Sequence, residues 1–186
     1  MNQFKITESS ILGLKLIERQ FLNDSRGFFS RIFCHKALDN AGWKQPVAQI
    51  NHSFTSKRGT LRGLHYQQNP HSEMKLVTCI QGEIFDVAVD LRVGSPTFLN
   101  WYSEILSAHN GRSLLIPEGF AHGFQTLSDD VALVYCHSKA YITESEAALN
   151  ARDPALAISW PIEISLQSSR DTKHRFIDKN FIGVSL

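Results

Sequence analysis

Alternating apolar and polar residues recur along the chain, and this pattern predicts β-strands. From Ile84 to Leu91 the alternation has a period of two, and it places Phe85, Val87 and Val89 on the same face as Leu91. The segment is therefore predicted to be a strand that directs this face into the core.

An apolar segment at residues 74–80 precedes this strand, and Gln81-Gly82 lies between them as a tight turn, so we predict a hairpin. Turn-forming clusters of glycine, proline, serine and asparagine separate other segments of the same kind. These further predicted strands cover residues 49–55, 60–65, 98–106, 113–116, 123–127 and 131–137. Many short strands at nearly even spacing predict an all-β fold, a double-stranded β-helix or jelly roll.

A few short helices are predicted beside the strands. One covers residues 35–42 and ends on Gly42, a residue that commonly closes a helix. The other covers residues 143–149, where Thr143 and Glu146 have the spacing of a capping box.

Length and composition favour one ordinary globular domain. No repeat or linker divides the sequence, so residues 1–186 are expected to form a single domain, with the more polar segment after Trp160 wrapping its surface. The formal net charge is +1, which does not suggest a surface for nucleic acid or for a membrane. An anionic ligand would need a local cluster of basic residues.

The cysteines indicate in which cellular compartment the protein is expected. Cys34, Cys79 and Cys136 are odd in number and widely separated, which disfavours a disulfide framework or a zinc site and fits a reducing compartment. Residues 1–8 contain no long apolar segment of the kind found in signal peptides. We therefore expect a cytoplasmic protein.

The segment from Pro117 to His122 is the first candidate for chemistry. A turn made by Pro117 and Gly119 carries His122 onto the next strand, directed into the barrel, and this arrangement is similar to the second cupin motif. The alternative is an ordinary proline–glycine turn followed by a structural histidine.

A second motif covers residues 59–67 and contains Arg62, His65 and Gln67. Metal-binding cupins have His-x-His here, so Gln67 removes one expected ligand. His65 and His122 alone make a poor metal site, because a catalytic metal usually needs three protein ligands. We therefore expect no metal, which leaves His65 available as a base; a buried histidine bonded to backbone is the alternative.

Together, several segments resemble the dTDP-4-dehydrorhamnose 3,5-epimerase family in order and spacing. They are residues 24–29, 49–53, 59–67, 75–77, 82–90 and 116–124. The resemblance implies a cupin-like jelly-roll homodimer that needs no cofactor. It also implies an epimerase that inverts C5 and C3 of a nucleotide-linked 4-keto-6-deoxyhexose, in the synthesis of a deoxysugar such as rhamnose for surface polysaccharide.

The resemblance further implies roles for individual residues. His65 resembles the general base, and Asp171 resembles the carboxylate that orients it. Tyr135 resembles the acid on the opposite face of the sugar, and Lys75 the cation beside the ketone. The positions that resemble substrate-binding residues are Arg26, Gln49, Asn51, Arg62, His122, Glu146 and Arg170.

This chemistry requires residues of those types. A proton on a carbon beside a ketone is lost only if the enolate is stabilised, and a cation such as Lys75 does this in a water-poor pocket. Inversion needs a base on one face and a donor on the other, which His65 and Tyr135 can supply. Two of these residues also have purely structural interpretations: Tyr135 could be an ordinary core residue, and Glu146 could serve only to cap the predicted helix.

The chain departs from the family pattern near the expected nucleotide. Arg31 stands where the family has a glutamate and Ala140 where it has an aromatic residue, so we expect weaker discrimination in favour of thymine. Alternative functions are a 5-epimerase or ketoisomerase acting on a CDP- or GDP-linked sugar, a non-catalytic sugar-binding cupin, and a metal-dependent cupin oxygenase, against which Gln67 argues. No spacing suggests a site for the histidines at 35, 52, 71, 109, 137 and 174.

Overall fold

The structure, a computed structural model, describes residues 4–186 and consists mainly of β-strands. The strands are β1 (Phe4–Glu8), β2 (Lys15–Arg19), β3 (Leu22–Asp24), β4 (Gly27–Phe29), β5 (Gln49–Thr55), β6 (Thr60–Gln67), β7 (Lys75–Gln81), β8 (Glu83–Asp90), β9 (Trp101–Ser107), β10 (Arg112–Ile116), β11 (Phe120–Thr126), β12 (Val131–His137), β13 (Glu146–Ala148) and β14 (Leu166–Gln167). The described helices are α1 (His35–Leu38) and 3₁₀ turns at Asp39–Ala41, Thr143–Ser145 and Asp171–Lys173.

The strands form two sheets that pack face to face. The first sheet has the order β1-β2-β10-β7-β12-β5, and the second has the order β13-β6-β11-β8-β9, with β14 pairing in parallel with β6. All other pairs within these sheets are antiparallel. Strands β3 and β4 form a separate two-stranded ribbon. The prediction of an all-β, cupin-like jelly roll with a few short helices is confirmed.

Three apolar clusters hold these layers together. Between the sheets, Val77 and Leu133 of the first sheet pack with Ile84 and Leu106 of the second. The outer face of the first sheet is covered by α1 and Trp43. The outer face of the second sheet is covered by segments beyond β13, including Leu149, Leu156 and Val184. The second sheet is therefore buried on both faces, and its strands combine apolar runs with a few enclosed polar residues.

Strand β8 shows this double burial. Phe85, Val87 and Val89 share a face as predicted, but that face packs against the C-terminal covering rather than between the sheets. Ile84 and Ala88, on the other face, lie in the core between the sheets. The polar residue between them, Asp86, is also fully buried and belongs to the site described below.

The prediction of a hairpin between β7 and β8 is wrong. Strand β7 pairs with β10 and β12 in the first sheet, whereas β8 pairs with β9 and β11 in the second. Gly82 joins them with a left-handed backbone (φ 73°), and its carbonyl accepts from Ala108 N. The glycine turn therefore carries the chain from one sheet to the other, because each strand has better partners elsewhere.

The prediction of a second helix at residues 143–149 is also wrong. Thr143–Ser145 forms one 3₁₀ turn without a side-chain cap, and Glu146–Ala148 continues as β13. Pairing with β6 places Glu146 opposite Gln67 and thereby overrides the local capping pattern. The first predicted helix is present, as α1 followed by a 3₁₀ turn that ends at left-handed Gly42 (φ 103°).

Some predicted strands also differ from the observed ones in their presence or their ends. Sequence patterning missed β1 to β4 and β14, which are only two to five residues long, and β9 starts at Trp101 rather than at residue 98. In the described range, 4–186, none of the helices has the length and apolar character needed to cross a membrane.

Candidate active site

A cavity of about 510 Å³ opens between the two sheets. Strands β5, β7 and β12 of the first sheet and β6 and β11 of the second supply most of its walls, and Tyr141 and Glu146 lie at its edge. Of the positions selected from the sequence, those that line the cavity are Asn51, Arg62, His65, Lys75, His122, Tyr135 and Glu146.

His65 lies on β6 and is held from behind by Asp171. Its Nε2 lies 2.8 Å from Asp171 Oδ1, so the carboxylate accepts the Nε2–H, which leaves Nδ1 as the basic nitrogen of the neutral ring. Burial alone would raise the pKa of Asp171, but the hydrogen bond and charge of His65 and the Gly63 amide hold it below its ordinary value. The pair is thus arranged as an oriented base and its carboxylate.

Tyr135 stands on β12, in the opposite sheet from His65. Its hydroxyl lies 3.2 Å from Ser53 Oγ. Burial raises the pKa of Tyr135 well above its usual range, and the contact with Ser53 offsets only part of this effect. The phenol is therefore protonated at neutral pH and can act as a proton donor.

Lys75 begins β7 and is almost fully enclosed. Its Nζ lies 2.9 Å from Glu73 Oε1 and donates to the His65 carbonyl oxygen at 3.3 Å. Glu73 also accepts a hydrogen bond from Gln67 Nε2 at 2.9 Å. Sequence reasoning missed Glu73, which lies just before β7 in a segment without strand patterning.

The side chain of Gln67, at the position where metal-binding cupins have a ligand, is fully engaged. Besides Glu73, its Nε2 donates to the carbonyl oxygen of His71 at 2.9 Å. Its Oε1 accepts from Ile142 N at 2.7 Å. Gln67 therefore ties the segments around the cavity together.

His122 forms a second buried pair with a carboxylate. Its Nε2 lies 2.7 Å from Asp86 Oδ1, and both side chains are almost fully enclosed. Burial raises the pKa of Asp86, and the charges of His122 and Lys75 oppose this shift. The His122 ring packs edge-on against that of Tyr135, with 6.1 Å between centroids. His122 therefore faces the cavity, as its motif predicted.

His137 also lines the cavity, although sequence spacing gave it no role. Burial and the charge of Lys75 lower the pKa of His137 to about 4, so its ring is neutral at neutral pH. Asn51 Nδ2 lies 3.4 Å from its Nε2 and can donate to it. The sequence did contain one indication that His137 faces the cavity. It lies two residues after Tyr135, and alternate residues of a strand share a face.

A polar network forms the rim of the cavity. Arg170 Nη2 and Tyr141 Oη donate to Glu146 at 2.6 and 2.8 Å. Gln49 Oε1 accepts from Tyr141 N at 2.9 Å, and Gln49 Nε2 donates to Asn51 at 3.0 Å. Gln49 and Arg170 do not line the cavity directly, but they hold residues that do.

The two arginines selected as anion ligands are in different places. Arg62 lines the cavity and donates to the Phe54 carbonyl oxygen at 3.2 Å. Arg26 lies on the β3–β4 ribbon, where its side chain is 87% exposed and pairs with Asp24 at 2.6 Å. Arg26 therefore takes no part in the cavity of its own chain.

Neither Arg31 nor Ala140, the two departures near the expected nucleotide, lines this cavity, whereas Tyr141 does. The Ala140 carbonyl oxygen instead accepts from Gln67 Nε2 at 3.3 Å. An aromatic ring is therefore present at the rim one residue beyond the expected position.

Comparison with known proteins identifies a family. The family model for dTDP-4-dehydrorhamnose 3,5-epimerase matches residues 8–179. The dTDP-4-dehydrorhamnose 3,5-epimerase of Shigella flexneri is 42% identical over 178 residues, which cover 95% of this chain and 98% of that protein.

Solved structures give the same result. The dTDP-6-deoxy-D-glucose-3,5-epimerase of Legionella pneumophila, in complex with dTDP-4-keto-L-rhamnose, has a TM-score of 0.90 and 40% identity, covering 97% of this chain and 98% of that one. The 3′-monoepimerase ChmJ of Streptomyces bikiniensis, in complex with dTDP-quinovose, has a TM-score of 0.84 and 34% identity, covering 90% of this chain and 85% of that one. This chain belongs to the dTDP-4-dehydrorhamnose 3,5-epimerase family.

Proposed function

We propose that this protein is an isomerase that inverts C3 and C5 of a dTDP-linked 4-keto-6-deoxyhexose. The observation that carries the proposal is the arrangement of His65, backed by Asp171, and protonated Tyr135 around one cavity that also contains Lys75. The product serves deoxysugar synthesis, with rhamnose for surface polysaccharide as the destination.

The reaction begins at the carbon beside the ketone. His65 takes the proton on Nδ1 while Asp171 stabilises the imidazolium through Nε2–H. The electron pair of the broken C–H bond moves onto the ketone oxygen as an enolate, and the Lys75 ammonium stabilises that charge. Tyr135 then gives its phenolic proton to the opposite face of the carbon, and solvent restores the protons to their starting groups.

Substrate binding divides between the cavity and its rim. Arg62, Asn51 and His122 line the cavity and bind the sugar and diphosphate. Tyr141 stacks on the thymine ring, held in place by Glu146, which Arg170 orients. The similarity to proteins that bind dTDP-sugars supports this choice of nucleotide.

The working unit is a homodimer. Arg26 is a substrate-binding position by resemblance, yet it lies outside its own cavity, next to exposed Phe28 and Phe29. Strand β5 ends the first sheet and exposes Ile50 and Phe54. A second copy that covers these apolar residues and receives Arg26 in its cavity accounts for both features.

The reaction needs no metal or other cofactor, and the enzyme works in the cytoplasm. Gln67 is engaged with protein groups, and Lys75 supplies the positive charge beside the ketone. The free cysteines, Cys34, Cys79 and Cys136, fit a reducing compartment. Activity after exhaustive chelation should equal that of untreated enzyme, and loss restored by one divalent ion would contradict this part of the proposal.

Proton NMR in heavy water tests the reaction directly. Incubation with dTDP-4-keto-6-deoxyglucose should exchange the protons at C3 and C5 for deuterium and produce the epimerised sugar. Absence of both exchange and inversion would refute the proposal. Inversion at a single centre is the second candidate, favoured by the similarity to the monoepimerase ChmJ, and the same spectra distinguish it.

A further inference from the structure

Three side chains that can ligate a metal meet at the 3₁₀ turn that carries Asp171. Asp171 Oδ1 lies 2.8 Å from His65 Nε2 and 3.7 Å from His174 Nε2. One ligand atom from each of the three residues lies within 4.8 Å of the others. Donors in a tetrahedral zinc site are about 2.0–2.2 Å from the metal and so roughly 3.4 Å from one another. Side-chain shifts of about 1 Å would therefore complete the site.

His174 contributes a nitrogen that lies near Asp171 but has no hydrogen-bond partner in the described residues. Its Nε2 is shielded from solvent and makes no hydrogen bond within residues 4–186. The backbone at His174 is fixed, because buried Asn150 donates from Nδ2 to its carbonyl oxygen at 3.0 Å. A buried polar atom without a partner is unfavourable, and a cation beside Asp171 would satisfy it.

The Asp171 carboxylate is oriented so that one oxygen serves both histidines. Its Oδ2 accepts from Gly63 N at 3.4 Å, and its backbone N–H donates to Ser168 Oγ at 3.0 Å. The rings of His65 and His174 both reach the surface, since their side chains are 33% and 23% exposed. A fixed anionic ligand therefore lies between two imidazoles at the edge of the fold.

We propose that His65, Asp171 and His174 form an inhibitory site for Zn²⁺ or a similar borderline divalent cation. Two imidazoles and one carboxylate are a donor set that such ions prefer, whereas Mg²⁺ and Ca²⁺ prefer oxygen ligands alone. The ion displaces the Nε2 proton and separates His65 from Asp171, and the neutral ring then carries its proton on Nδ1, which can no longer act as the base. The inhibition rests on the proposed function of His65; the binding does not.

Metal titration of chelator-treated protein tests the binding by itself. Calorimetry should give one Zn²⁺ per chain, and Co²⁺ should produce the visible absorption of a four-coordinate ion. His174→Gln should weaken Zn²⁺ binding at least about tenfold. His109→Gln, in the exposed turn after β9, is the matched control and should bind like the unmodified chain. No binding, or equal binding by His174→Gln, would overturn the proposal. His174→Asn provides a second variant if the first unfolds.

An activity assay tests the inhibition. Zn²⁺ should inhibit the unmodified enzyme reversibly, with activity returning on chelation, while His174→Gln keeps metal-free activity and requires at least about tenfold more Zn²⁺. Equal inhibition of both proteins would refute the regulatory part. If the metal binds as expected but no 4-keto sugar nucleotide is turned over without it, the proposed function fails and the metal site stands.

Discussion

His65 Nε2 and Asp171 Oδ1 lie 2.8 Å apart, although the two residues are separated by 106 positions in the chain. The strand β6 supplies the histidine, and a turn in the covering segment of the second sheet supplies the carboxylate. The segment that wraps the fold thus also completes the candidate base.

His65 and Tyr135 should fail in different ways when they are replaced. His65→Ala removes the base and should abolish both inversion and exchange with heavy water, by roughly two to four decades in rate. Tyr135→Phe keeps His65 and Lys75, so exchange with retention of configuration should survive while inversion falls. Deuterium incorporation followed by NMR measures both rates. Equal loss of exchange in the two variants would contradict the assignment of base and acid.

Glu73 should control Lys75 without touching the substrate's reacting carbon. Lys75→Met should lower kcat by about two to three decades, because the enolate loses its cation. Glu73→Gln keeps the volume but loses the ion pair that holds Lys75 at 2.9 Å, and it should lower kcat about tenfold with little change in KM. Glu144→Gln, on the exposed side of the nearby 3₁₀ turn, is the control. Unchanged kcat in Glu73→Gln would show that Lys75 needs no positioning.

His137 should make the fold sensitive to mild acid. In the folded protein, burial and then the charge of Lys75 lower the pKa of His137 from 6.5 to about 4. Between these values the unfolded chain binds the proton and the folded chain does not, so stability falls as pH falls from 6.5 towards 4. The loss attributable to this residue is on the order of 2 to 3 kcal/mol.

Urea unfolding at pH 7 and pH 4.5 measures that loss. In His137→Gln the drop in unfolding free energy between the two pH values should be smaller than in the unmodified chain. His109→Gln, whose side chain is exposed, should leave the drop unchanged. If both variants show the full drop, another group accounts for the acid sensitivity.

The sequence predicted where the strands lie better than it predicted which strands pair with one another. A period of two identifies a strand and its faces, but it does not tell which sheet the strand joins, and this is why β7 and β8 were paired wrongly. Glu146 shows the same limitation at short range. Its spacing from Thr143 fits a helix cap, yet pairing with β6 and the bond to Arg170 place it at the cavity rim.

Only part of the candidate site could be predicted from the sequence, because strand patterning covers some of its residues and not others. His65, Lys75 and Tyr135 lie in strongly patterned strands, so their common cavity follows once the fold is known. Glu73 and His174 lie close in sequence to Lys75 and Asp171, but in segments outside the strands, where the local conformation decides whether the side chains meet. Irregular segments of this kind carry no periodic pattern from which the contact could be predicted.

Arg26 should act in the cavity of the partner subunit. Arg26→Ala and His65→Ala should each lower turnover as homodimers. Co-expression of the two chains should restore about a quarter of the unmodified activity, because half of the dimers then contain one site with both groups. Co-expression of His65→Ala with Tyr135→Phe should restore nothing, since both residues line one cavity of one chain. Absence of restoration in the Arg26 pair would refute action across the dimer.

The protein should prefer one nucleotide in the substrate, and Tyr141 should contribute to binding its base. The sequence placed Arg31 and Ala140 near the base and suggested weak discrimination, but neither residue lines the cavity, and Tyr141 does. Its hydroxyl is held by Glu146 at 2.8 Å, which leaves the ring face available for stacking. In keeping with the proposed dTDP-linked substrate, we expect dTDP to bind more tightly than CDP or GDP in calorimetric titrations. Tyr141→Ala should weaken dTDP binding about fivefold, the equivalent of roughly 1 kcal/mol of stacking, whereas Tyr141→Phe should weaken it less because only the bond to Glu146 is lost. Equal affinity for the three nucleotides would contradict the choice of dTDP, and unchanged dTDP affinity in Tyr141→Ala would show that this ring does not stack on the base.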